Sequence, residues 1–155
     1  MSLYLIVKTL HIISSTVLFG TGLGIAFFMF RARFTADLNQ RLYAARNTVL
    51  ADTLFTFPAG MAQPLSGVWL AIHAGFRLTD LWLAAAIGLY LVAGACWLPV
   101  VWIQLELRNM LEQSEQSGLP LPPRYQRLFN WWFLLGWPAF AALLSIFYLM
   151  VAKPI

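Results

Sequence analysis

Residues 81–105 read LWLAAAIGLYLVAGACWLPVVWIQL and contain no charged side chain. A helix needs about 20 residues to cross about 30 Å of hydrocarbon, so this segment is long enough to span a bilayer. Three further apolar runs occupy residues 9–30, 53–73 and 128–152. The sequence therefore predicts an all-α integral membrane bundle of four transmembrane helices, which we place at approximately residues 3–30, 51–74, 80–107 and 127–152.

The composition supports a single transmembrane domain in a lipid bilayer. Hydrophobic residues make up 61% of the 155 residues and charged residues only 10%, whereas an ordinary soluble domain has roughly 25% charged residues. The first apolar run is too long for the core of a cleavable signal peptide, so we expect it to be retained. Cys96 is the single cysteine, which excludes an intramolecular disulfide.

The distribution of basic residues predicts the orientation. Lys and Arg favour the cytoplasmic side of short loops. Seven of the ten basic residues lie in the two longer connections, at Arg31, Arg33, Arg41, Arg46, Arg108, Arg124 and Arg127. We therefore expect both longer loops in the cytoplasm and both the N-terminus and the C-terminus outside. This asymmetry explains the net charge of +4 without a nucleic-acid partner.

Both longer connections are predicted to contain helix. Residues 31–52 place Leu38, Leu42, Ala45 and Val49 at the spacing of one helical face, which predicts a short amphipathic segment at the membrane surface. Residues 106–115 are expected to continue the third helix until Gly118 stops it. Neither connection has room for a catalytic domain, so function is expected within the bundle, at its rims or in assembly.

Ionisable and polar residues within the apolar runs are the candidates for function, because such groups are costly in a membrane. They are Lys8, His11, His73 and the QPLSG stretch at residues 63–67. His11 lies 20 residues before the basic Arg31, and His73 lies 21 residues after Asp52. These counts predict that both histidines lie near the outer rim of the bundle.

Two histidines at one depth suggest a cofactor site. Imidazole is a frequent axial ligand of haem iron, so His11 and His73 are predicted to hold haem b, either together or with His11 as the single ligand. Lys8 and Arg77 lie at the same level and are suited to neutralise the haem propionates. The alternative is that both histidines only hydrogen-bond to headgroups or backbone.

Several stretches resemble an uncharacterised family of bacterial inner-membrane proteins of predicted four-helix topology. They are YLIVKTLHII at residues 4–13, FGTG at 19–22, PLSGVWL at 64–70 and CWLPVV at 96–101. The resemblance implies a multi-pass protein of the bacterial inner membrane and no established activity. The Lys8-x-x-His11 opening is also similar to that of haem-binding membrane protoporphyrinogen oxidases and copper-resistance membrane proteins, which implies a functional histidine on the first helix.

Other functions stay open, including whether the chain is an enzyme. A non-catalytic subunit that stabilises a membrane complex is one alternative, and a small oligomeric transporter component lined by Gln63 and Ser66 is another. A copper site formed by the two histidines and a methionine ranks below haem. We find no phosphate-binding loop, zinc-spaced cluster or nucleophile set in the sequence.

Overall fold

The structure is a computed structural model and describes residues 2–153. Helix accounts for 88% of the chain, and the described residues contain no strand. The helices are α1 (Leu3–Ala32), α2 (Leu38–Ala51), α3 (Phe57–His73), α4 (Leu81–Ser117) and α5 (Pro123–Ala152), with one π-helical turn at Asp52–Thr56 between α2 and α3.

Three of these helices, α1, α4 and α5, are long and apolar enough to cross a membrane. The prediction of an all-helical membrane protein is therefore confirmed. The third helix, α3, has 17 residues and continues directly from α2 through the π-helical turn. The extension of α4 beyond the apolar run is also confirmed, since the helix continues to Ser117 and ends where Gly118 adopts a φ of 69°.

Proline explains two departures from a regular helix. Pro58 has no backbone N–H, and its ring crowds the preceding turn. The wider π-helical turn lies immediately before α3, whose second residue is Pro58. Pro64 also lacks an N–H, which frees the carbonyl of Gly60, and the Tyr90 hydroxyl of α4 donates a hydrogen bond to that carbonyl. A polar side chain thus satisfies a backbone group that proline leaves unpaired.

The helices pack in two main pairs, α1 with α3 and α4 with α5. The larger hydrophobic core lies at the end of the bundle where the basic loops are, and it joins α1, α2, α4 and α5. On α2, Leu42 and Ala45 are buried in this core. The amphipathic segment therefore docks on the bundle. Two partly exposed ion pairs, Arg46 with Glu112 and Arg124 with Glu106, lie at the same end and add little stability.

Large apolar side chains cover the outer surface of the long helices. Leu98 is 66% exposed and Val151 is 87% exposed, and many other leucines and phenylalanines point outward in the same way. An apolar surface of this extent is unfavourable in water and favourable against lipid tails. The outward faces of the helices are therefore the lipid-contacting surface.

Replacing Leu107 with alanine tests the larger core. Leu107 is fully buried on α4, so Leu107→Ala should leave a cavity and lower the free energy of unfolding by about 2–4 kcal/mol. The matched control is Leu98→Ala on the lipid-facing side of the same helix. This variant should change the free energy of unfolding by less than about 1 kcal/mol. Equal losses in chemical unfolding of the detergent-solubilised variants would contradict this assignment of the core.

Candidate functional site

The His11 side chain lies against α3. Its Nδ1 atom is 2.7 Å from the Oγ atom of Ser66. A Cβ atom added at Gly67 would lie 3.2 Å from Cε1 of His11, which is closer than most side chains tolerate. Gly67 therefore provides the space that the imidazole occupies, and Ser66 provides its hydrogen bond. Both residues belong to the QPLSG stretch that the sequence had indicated.

The hydrogen bonds of Ser66 determine which ring nitrogen of a neutral His11 carries the proton. The Ser66 hydroxyl donates its single proton to the carbonyl of Ala62 at 2.5 Å. Its oxygen must then accept a hydrogen bond from Nδ1–H of His11. In the neutral ring this leaves a lone pair on Nε2, and that atom has no hydrogen-bond partner within residues 2–153. Nε2 is thus the nitrogen available to a ligand.

Gln63 fixes the backbone of α1 beside the histidine. Its side-chain amide donates a hydrogen bond of 2.8 Å to the carbonyl of His11, and it also contacts the hydroxyl of Ser14. Ser14 in turn donates to the same carbonyl at 3.1 Å. Two side chains of α3, Gln63 and Ser66, therefore hold both the backbone and the ring of His11.

His73 lies in a different environment at the end of α3. Its side chain is exposed, its Nδ1–H donates to the carbonyl of Trp69 at 2.8 Å, and its ring stacks on the Trp69 indole at 3.8 Å. Seven residues, or about 10 Å along the helix axis, separate it from Ser66, the partner of His11. His73 thus hydrogen-bonds within its own helix while His11 bonds to α3, and ligation of one iron by both histidines stays a prediction.

The two cations predicted to neutralise propionates are both exposed. Lys8 lies one turn before His11 on the same face of α1. Arg77 lies in the connection between α3 and α4, where its backbone N–H donates to Asp80 at 3.0 Å. Within the part of the chain that the structure describes, neither side chain forms an ion pair. Lys8 is therefore free to contact a ligand of His11.

The structure shows a second polar cluster, which we had not predicted. Asp52 is buried at the π-helical turn, and Thr56, Trp97 and Gln104 surround its carboxylate. In the sequence, Asp52 had marked only the inner end of a helix. The spacing of these residues could have indicated the cluster. Asp52 and Thr56 are four residues apart and Trp97 and Gln104 are seven apart, which places each pair on one helical face.

Neither polar cluster is a typical site for a bare metal ion. Among the described residues, no group of three or more His, Cys, Asp or Glu side chains is arranged to hold a metal. The copper site considered from the sequence would need such a group, or methionine sulphur beside the histidines. The chemistry available is therefore one imidazole nitrogen on α1 and one carboxylate at the π-helical turn.

The long apolar helices, their lipid-facing surfaces and the polar contacts between them define an integral membrane protein of the helical-bundle class. Residues 5–154 match the profile of the family described as "predicted integral membrane protein (DUF2269)". The chain belongs to this family, whose function is unknown, and the expected membership of an uncharacterised membrane-protein family is confirmed. No curated protein and no solved structure matches the chain significantly.

The protonation of His11 can be measured directly by 15N NMR of protein labelled at histidine. We expect the neutral His11 ring to carry its proton on Nδ1, because the Ser66 oxygen accepts from that atom. In Ser66→Ala the acceptor is lost, and the Nε2–H form should become more populated. A wild-type ring protonated on Nε2, or one whose signals do not change in Ser66→Ala, would contradict the hydrogen bonding described here.

Proposed function

We propose that this protein binds haem b, with Nε2 of His11 as an axial ligand of the iron. The observation that carries the proposal is the fixed orientation of His11. Histidines that bind metals almost always donate their other ring N–H to a neighbouring acceptor, which sets the tautomer and increases the basicity of the ligand nitrogen. Ser66 acts in this way on Nδ1 of His11 and leaves Nε2 available.

The surroundings of His11 are consistent with this role. Gly67 lets the ring approach α3 closely, and Gln63 holds the backbone from which the ring projects. Lys8, one turn away, is suited to pair with a propionate, and Arg77 is a more distant candidate. Bound haem b would supply one-electron redox chemistry. The protein would orient His11 as one ligand of the iron and hold the haem within the helix bundle.

We further propose that α3 is the fourth membrane-spanning helix and that both chain ends face outward. The larger core and the two ion pairs lie at the end with the basic loops, which suits a cytoplasmic end near anionic headgroups. Such an arrangement belongs to a multi-pass protein of a bacterial inner membrane. His11 would then lie in the outer half of the bundle.

Cysteine labelling tests this orientation. In a Cys96→Ala background, Arg77→Cys should react with an impermeant maleimide added to intact cells, because the connection between α3 and α4 is predicted to face outward. Glu115→Cys, which is exposed at the opposite end of α4, should react only after the cells are permeabilised. The reverse pattern would invert the proposed topology.

The absorption spectrum of protein purified in mild detergent tests haem binding. We expect a Soret band that shifts on reduction with dithionite and is lost in His11→Ala. His73→Ala should retain the band if His11 is the single histidine ligand, whereas loss of the low-spin spectrum would support ligation by both histidines. Wild-type protein that stays colourless after expression with added haem precursor would contradict the proposal.

A pair of glycine variants provides a matched control for His11→Ala. Gly67→Ala introduces a methyl group 3.2 Å from the His11 ring, so it should displace the imidazole and reduce haem loading. Gly20→Ala on α1 has no neighbour within 4 Å of the added atom and should load haem normally. Equal loading in both variants would show that the position of the ring against α3 does not matter.

A transporter component is the second candidate, and one observation favours it. Asp52 and Thr56 on the π-helical turn and Gln63 and Ser66 on α3 place four polar side chains along one continuous helix. Rows of ionisable and polar groups in a bundle mark ion and proton pathways in many transporters. A transporter component needs no haem, so a protein with this role would show no Soret band. The absorption spectrum therefore separates the two candidates.

A further inference from the structure

We propose that the cavity beside Asp52 binds a small organic ammonium ion. The cavity lies where the π-helical turn faces α4, and it is separate from the His11 site. It has a volume of about 240 Å³ and is lined by Asp52, Gln104, Val49, Phe57, Trp97 and Val101. Its polar walls and its apolar walls each restrict the class of ligand that can bind.

The buried carboxylate of Asp52 favours a cation as the ligand of this cavity. Asp52 is only 5% exposed, and no basic side chain within residues 2–153 lies within ion-pair distance of its carboxylate. The basic residues on the neighbouring helices are engaged elsewhere, since Arg46 pairs with Glu112 and Arg108 bonds to Asn109. Burying a carboxylate without a compensating cation is costly. A bound cation would supply the missing charge.

The unpartnered oxygens match the donors of an ammonium group. Oδ2 of Asp52, Oγ1 of Thr56, Oε1 of Gln104 and the Nε1–H donor of Trp97 are buried and have no hydrogen-bond partner among the described residues. Gln104 is only 3% exposed, and buried polar atoms in native proteins are nearly always paired. A primary ammonium group carries three N–H donors and no acceptor, as the lysine side chain does. Oδ2 of Asp52 and Oε1 of Gln104 belong to residues that line the cavity, and both can accept from such a group.

The apolar walls favour an organic cation over an inorganic one. Phe57 and Trp97 stack with their ring centroids 6.4 Å apart and their planes at 22°. Aromatic rings attract organic cations, and Val49 and Val101 offer a surface to an alkyl chain. The cavity is several times larger than the roughly 30 Å³ that one water occupies. A divalent metal ion prefers several carboxylates, and only one lines this cavity.

Binding of n-propylammonium chloride to the full chain in detergent tests the proposal by calorimetric titration. We expect saturable binding to the wild-type protein and an affinity roughly tenfold or more weaker in Asp52→Asn, because a hydrogen-bonded charge is removed. The matched control is Asp37→Asn, which makes the same change at an exposed helix cap that asparagine also satisfies. Its affinity should equal that of the wild type.

A second variant keeps the test valid if Asp52→Asn does not fold. Thr53 is exposed and lines the cavity, so Thr53→Phe should obstruct the mouth and abolish n-propylammonium binding while the carboxylate stays in place. Three results would each overturn the proposal: no binding to the wild type, equal weakening in Asp37→Asn, or sodium chloride that displaces n-propylammonium at equal concentration. The last result would make the site one for inorganic ions.

Discussion

A polar group within a bilayer has no water to bind, so it must find its partner within the protein. The contact between α1 and α3 follows from this constraint. His11, Ser14, Gln63 and Ser66 satisfy one another across the two helices, and Gly67 lets the helices approach closely enough for those bonds to form. The same constraint explains why the Tyr90 hydroxyl binds the carbonyl that Pro64 leaves free.

The two ends of the bundle differ in how they are stabilised. The end with the basic loops has the larger core, in which α2 packs against α4 and two ion pairs lie at the rim. The region around His11 relies instead on hydrogen bonds between α1 and α3. A well-packed end and a polar contact between helices suit a protein that holds a ligand between its helices, as both the haem and the ammonium proposals require. The two sites share one continuous helix, with Asp52 at its π-helical turn and Ser66 in the second half of α3.

The helical membrane class could be predicted because long uncharged runs leave no other stable arrangement. The stop of α4 at Gly118 and the shared helical face of Leu42 and Ala45 on α2 also followed from local patterns, whereas the packing of that face against the bundle instead of the membrane surface did not. His11 and the stretch from Gln63 to Gly67 were each singled out, but their pairing was not. Residue counts along two helices give a depth for each residue and do not give the rotation of one helix against the other.

The Asp52 cluster was missed for a related reason. A charged residue at the edge of an apolar run is usually a solvated end, and only tertiary packing shows that α2 and α4 enclose this one. The π-helical turn before Pro58 was likewise not predicted. These features depend on contacts between distant segments, which local periodicity does not encode.

The central claim is that Ser66 orients His11 as the ligand of a haem iron. Resonance Raman spectroscopy of the reduced, haem-loaded protein tests it most directly through the iron–histidine stretching band. In the His73→Ala background, where no second histidine can occupy the sixth position of the iron, the account predicts such a band and a shift to lower frequency when Ser66→Ala is added, because loss of the acceptor for Nδ1–H makes the imidazole a weaker donor. An absent band, or one with the same frequency in both proteins, would contradict it.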